Sequence, residues 1–154
     1  MAVSVTVGDS DGNNVAVSWI QAAARFGFTI NLACPESRRV KSSVVDWARE
    51  NGAVVRETEC PDEAVDGADL VVADTWISMG DDESNVHNLF MPYQVNDALM
   101  AKAKPDALFM HCLPAHRNEE VTDSVMDGPQ SVIWDEAENR LHAQKGILAW
   151  SMEG

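Results

Sequence analysis

The run Leu70-Val71-Val72-Ala73-Asp74-Thr75-Trp76-Ile77-Ser78-Met79-Gly80 passes directly from four apolar residues to an acid, two hydroxyls and a glycine. An apolar stretch this short and unbroken reads as a strand buried on both faces, the kind parallel sheets use. A second junction repeats the pattern: Ala107-Leu108-Phe109-Met110 runs into His111-Cys112-Leu113-Pro114. In an open parallel sheet, ligands bind at the carboxyl ends of strands, where helix N-termini and loop amides converge. One acid, one hydroxyl, one thiol and one imidazole at two such ends make a candidate active site.

Outward from these junctions, strands and helices alternate. Val3–Val7 reads as a first strand, and Asn13 or Asn14 opens a helix through Arg25 that Gly27 stops. Phe28–Ala33 is a second strand, Val40–Glu50 a helix, and Ala53–Arg56 a third strand. A brief helix at Asp62–Val65 precedes the fourth strand, Leu70–Ala73. The polar stretch after Gly80 reads as a mobile loop before a helix from about Gln94 to Ala103. Ala107–Met110 is a fifth strand, Glu119–Met126 helical, Ser131–Trp134 a sixth strand and Glu136–Trp150 a closing helix. This order predicts an α/β fold: a doubly wound, mostly parallel, Rossmann-like sheet with helices on both faces.

The 154 residues suit one domain, large enough for folding to bury roughly 70% of the unfolded surface. Net charge is −14, from 25 acidic and 11 basic residues, which repels phosphate backbones and anionic lipids. Neither nucleic acid nor a membrane is therefore an expected partner. No apolar run approaches the ~18 residues of a span, and the N-terminus lacks the basic region of a signal peptide. Cys34, Cys60 and Cys112 form no CxxC pair and fit a reducing cytoplasm. Only Cys112 and His116 lie close in sequence, too few ligands for structural zinc, so no metal is expected.

Three segments carry possible chemistry. Gly8-Asp9-Ser10-Asp11-Gly12-Asn13-Asn14 lies before the first helix, where free amides suit an anion. Its asparagines serve equally well as plain N-caps, and its spacing is not that of a dinucleotide fingerprint. Asp74 with Ser78 and the Met79-Gly80 amides has what the zwitterionic end of an amino acid needs. Cys112 beside His111 is either a small buried hydrophobe or a group that accepts or relays a proton. Arg140, in Glu138-Asn139-Arg140, is either a surface charge or an oxyanion clamp.

Asp74–Gly80, His111–Pro114 and Glu136-Ala137-Glu138-Asn139-Arg140, in this order and spacing, resemble the aspartate/ornithine carbamoyltransferase family, and within it the ornithine enzymes. Glu119-Glu120-Val121-Thr122-Asp123 and Gly12-Asn13-Asn14-Val15 extend the likeness, which runs from about Val3 to the end. The resemblance implies the second, ornithine-binding domain of an enzyme that uses L-ornithine and carbamoyl phosphate and needs no cofactor. It implies that Asn14 and the Met79 backbone hold the α-carboxylate, and Asp74 and Ser78 the amino groups. Cys112, with His111, would help the side-chain amine lose its proton. Arg140, aided by the Leu113 backbone, would bind the carbamoyl oxygen on which charge develops. An amine of pKa ~10.4 is almost all ammonium at neutral pH, so an acceptor such as a thiol of reference pKa ~8.5 would ease attack.

The family's first domain carries a Ser-x-Thr-Arg-Thr phosphate segment and a His-Pro-x-Gln segment, and neither occurs here. The expectation is a fragment, 1–154, lacking the carbamoyl-phosphate domain and inactive alone, from an enzyme that is a homotrimer when complete. The family commonly reads Gly-Asp-Gly-Asn-Asn in the first loop, where this chain inserts Ser10-Asp11. The competing readings are a non-catalytic amino-acid-binding module and a carbamoyltransferase for a related diamine.

Overall fold

The computed structural model describes residues 1–6, 14–76 and 83–153. Among these, five strands form one parallel sheet: β1 (Ala2–Thr6), β2 (Thr29–Ala33), β3 (Val54–Thr58), β4 (Leu70–Ala73) and β5 (Leu108–His111). Their spatial order is β3-β2-β1-β4-β5, so the chain builds outward from β1 to β3 and then returns to β1's other side. The strand order reverses between β1 and β4, and the carboxyl ends of strands at such a reversal are where open α/β sheets bind ligands.

Alternate residues of β4 enter opposite cores, which is why that strand is apolar throughout. Leu70 and Val72 pack with Val3, Ile30 and Leu32 beneath α1 (Asn14–Phe26) and α2 (Ser42–Glu50). Val71 and Ala73 pack on the other face with Phe109, Val125 and Ile133. That face is covered by the short helices α3 (Pro61–Val65), α5 (Asp97–Met100) and α6 (Asp123–Met126). The α/β fold with helices on both faces is thus the observed one. Gly27, at φ 71, ends α1 in the left-handed conformation, where its N–H reaches Ala23 O at 2.9 Å.

Four expectations fail. The polar stretch after Gly80 is helical from Glu83: α4 spans Glu83–Phe90, and a 3-10 turn follows at Met91–Tyr93. Phe90 stacks on Trp76 and meets Tyr93 edge-on, an anchor that a polar sequence window does not reveal. The helix expected over 94–103 shrinks to α5, because Asn96 caps it by accepting Leu99 N–H at 3.0 Å. Residues 119–122 are not helical, since Val121 bridges to Val95 and Arg117 instead. Finally, the sixth strand is reduced to a bridge between Ser131 and Phe109. A 21-residue helix, α7 (Ile133–Glu153), begins directly afterwards. Ile133 is buried against β5's neighbours, and Asp135 and Glu136 place negative charge in the first turn, where the helix dipole favours it.

Candidate functional site

Strand register brings the two junctions together. Ala73 of β4 pairs with His111 of β5, so the next residues, Asp74 and Cys112, leave the sheet side by side. The Cys112 Sγ donates to Asp74 Oδ1 at 3.0 Å, and the same oxygen accepts Thr75 N–H at 2.8 Å. Asp74 is buried and Cys112 half-buried. Burial, and then the hydrogen bond to the Asp74 carboxylate, push the Cys112 thiol up to about 12. The sequence reading gave Cys112 an ordinary thiol acidity and a proton-accepting part. In this arrangement it is instead a protonated donor.

His111 is 1% exposed, and both ring nitrogens are committed. Its Nδ1 accepts Leu113 N–H at 2.9 Å, and a backbone N–H can only donate. The ring proton therefore sits on Nε2, which faces Glu120 Oε1 at 3.2 Å. The His111 backbone N–H donates to Glu136 Oε2 at 2.9 Å. Burial raises the Glu136 carboxyl above its usual range, and the His111 N–H opposes that shift. Three contacts thus hold the turn on which Cys112 sits, and Leu113 within it is at φ 54. Because its N–H is spent on His111, Leu113 has no backbone donor left for an oxyanion, which corrects that expectation.

The other expected residues are dispersed. Asn14 is the exposed first residue of α1, with its carbonyl accepting Ser18 Oγ at 2.8 Å. Arg140 is exposed within α7 rather than at its start, because the helix begins at Ile133. It lies one turn beyond Glu136 on the same helix face, the face turned to the His111 junction. Ser78 and Met79 lie outside the described residues, as does the loop 7–13 with its Ser10-Asp11 insertion. Sequence reasoning missed Glu120 and Glu136, the two acids that hold His111. The sequence pattern places Glu120 in a helix over 119–126 without a role, although its position just before the buried Val121 is a usable signal.

The cysteines make a direct check. Cys60 is exposed, whereas burial raises the Cys34 thiol to about 11 and Cys112 stands near 12. At about pH 8, a disulfide reagent should label one thiol fast and two slowly in the native chain, and all three once it is unfolded. Cys34 and Cys112 titrate higher in the folded state than unfolded. Their support for folding is full below the ordinary value near 9 and is lost as pH rises from about 9 to about 12.

Residues 3–151 match the family model described as aspartate/ornithine carbamoyltransferase, Asp/Orn binding domain. An ornithine carbamoyltransferase of Brucella abortus (strain 2308) is 62% identical over 144 residues, 93% of this chain and 46% of that protein. One from Nitrobacter winogradskyi is 61% identical over 92% of this chain and 46% of its own length. The solved ornithine carbamoyltransferase from Pyrococcus furiosus superposes with TM-score 0.86 at 46% identity, covering 96% of this chain and 48% of that one. The anabolic enzyme from Campylobacter jejuni reaches TM-score 0.90 at 31% identity over 99% of this chain and 51% of that one. This chain spans about half the length of the curated relatives it matches.

Proposed function

Because this chain belongs to the aspartate/ornithine carbamoyltransferase family, we propose that it supplies the L-ornithine half of a site that transfers the carbamoyl group of carbamoyl phosphate to ornithine's side-chain amine. The products are citrulline and phosphate. The observation that carries this reading is the Asp74–Cys112 pair, a buried carboxylate holding a thiol across the carboxyl ends of β4 and β5, next to the β1–β4 switch point.

At rest the Asp74 charge holds the Cys112 proton in place. An ornithine ammonium bound on Asp74 compensates that charge, so one cause of the raised thiol pKa falls away. Cys112 then releases its proton to solvent more readily, and the thiolate left behind accepts a proton from the amine. The substrate thereby prepares the group that helps deprotonate its own amine. His111 acts as a positioning residue, because both of its ring nitrogens serve the turn. Arg140, from the Glu136 face of α7, meets the carbamoyl oxygen, and oxyanion donors of that kind are worth ~3–4 kcal/mol each. Asn14, Ser78 and the Met79 backbone complete the amino-acid contacts in this reading.

The phosphate cradle belongs to the part of the relatives' length that this chain does not span. Leu141, Ile147, Leu148, Trp150 and Met152 leave a large apolar surface exposed along α7, which supports a site completed by more protein than this chain. Homotrimeric assembly is part of the same proposal and rests on the family resemblance alone. Three free cysteines support a reducing, cytoplasmic setting. Among the described residues, no helix is long and apolar enough to cross a membrane.

Calorimetric titration tests the recognition claim. L-Ornithine should bind this chain at least ~10-fold more tightly than Nα-acetyl-L-ornithine, because an acylated nitrogen gains nothing from a carboxylate. Equal affinities, or no ornithine binding, would overturn it.

A further inference from the structure

Beyond the Asp74–Cys112 pair, one polar cluster has an unmet need. Glu120 is 1% exposed, and its Oε1 accepts from His111 Nε2 and from the His116 backbone N–H. Its Oε2 is buried and accepts no hydrogen bond from the described residues. A carboxylate oxygen left so is costly, and native structures seldom tolerate one without a partner. That oxygen lies 3.6 Å from His116 Nδ1. Ligand atoms of His116, Glu119 and Glu120 all come within 4.8 Å of one another.

Local cations are otherwise engaged. Arg117, the guanidinium in this segment, is spent on Asp123 and Asp127 at 2.5 to 2.9 Å. Among the described residues, the charge partners of the two glutamates are histidines: His87 Nε2 lies 3.5 Å from Glu119 Oε2, while His111 and His116 flank Glu120. The cluster's backbone is held in place, since Gln94 Nε2 donates to Asn118 O and Glu119 O at 3.1 and 2.8 Å.

We propose that His116, Glu119 and Glu120 form a binding site for a divalent transition-metal ion of the Zn2+/Co2+ class, with water completing the shell. An imidazole with two carboxylates suits such a borderline cation. With metal–ligand bonds of 2.0–2.1 Å, neighbouring ligand atoms of a tetrahedral site lie about 3.4 Å apart, close to the His116–Glu120 spacing. His87, 3.5 Å from Glu119 Oε2, backs that ligand, as groups behind ligating carboxylates do in metal sites. The ion satisfies the orphaned Glu120 Oε2 while Oε1 continues to hold His111.

Titration of Co2+ alone into the whole chain, followed by calorimetry and visible absorption, tests this. One equivalent should bind without a sulfur-to-cobalt charge-transfer band. His116→Ala and Glu119→Gln, both at sites open to solvent, should each weaken binding at least ~10-fold, and His87→Ala by ~10–100-fold. His142→Ala, which alters the other histidine–glutamate pair, on α7, should leave affinity unchanged. The far-UV spectrum and melting temperature of each variant establish that it is folded. The absence of saturable binding, a thiolate band, or indifference to His116→Ala would overturn the proposal.

Discussion

Asp74→Asn should weaken L-ornithine binding by roughly 10- to 100-fold while making Cys112 more reactive toward alkylating reagents. The first effect follows from a buried carboxylate's hydrogen bond to an ammonium, worth about 1.5–3 kcal/mol. The second follows from the causes of the thiol's raised value. Burial comes first and survives the substitution; the hydrogen bond and charge of Asp74 come next and do not. The titration midpoint of Cys112 should therefore fall from about 12 yet stay above the ordinary value near 9. Alkylation rate against pH, with Cys60 replaced by Ser to silence the exposed thiol, measures it. A simple loss of structure would lower binding and free all thiols together. An unchanged Cys112 profile would remove Asp74 as the group that holds its proton.

The largest effect on stability is expected at His111. His111→Ala should cost ~3–5 kcal/mol in urea unfolding, a large share of the 5–15 kcal/mol typical of a domain. It leaves the buried Glu120 without its imidazole donor and opens a void beside β5. It also strips the Leu113 N–H of its acceptor, at a residue whose φ of 54 already costs about 1–2 kcal/mol. His111→Gln keeps one donor and one acceptor and should recover part of the loss. A cost under about 1 kcal/mol for the alanine variant would mean that the buried network contributes little to stability.

Both residues stand out in the sequence, and the reason is physical. A strand buried on both faces, as β4 is, must be apolar throughout, so Asp74 marks its end as the first polar residue; His111 is the first polar residue of β5. Parallel register then brings the two ends together. Less legible were features in which a tertiary partner overrides a local pattern. Ser131-Val132-Ile133-Trp134 has strand-forming residues, yet Ile133 finds its burial at the start of α7. The polar residues before Phe90 look like loop until Trp76 and Tyr93 supply the surface that α4 packs on. Glu120 carried a weak signal, since only its position before the buried Val121 hints that its carboxylate faces an imidazole on β5.

The long last helix has a thermodynamic consequence of its own. Its first turn is tied to the sandwich by Ile133 and by Glu136 on the His111 amide, but from Ala137 onward every described residue is exposed. Helices that lack tertiary burial rest on intrinsic propensity, which is marginal in water, and Gly146 lowers it further. Within this chain, one continuous helix therefore crosses two cooperative units. Amide exchange along it should run from protection by global unfolding near Glu136 to local fraying toward Met152.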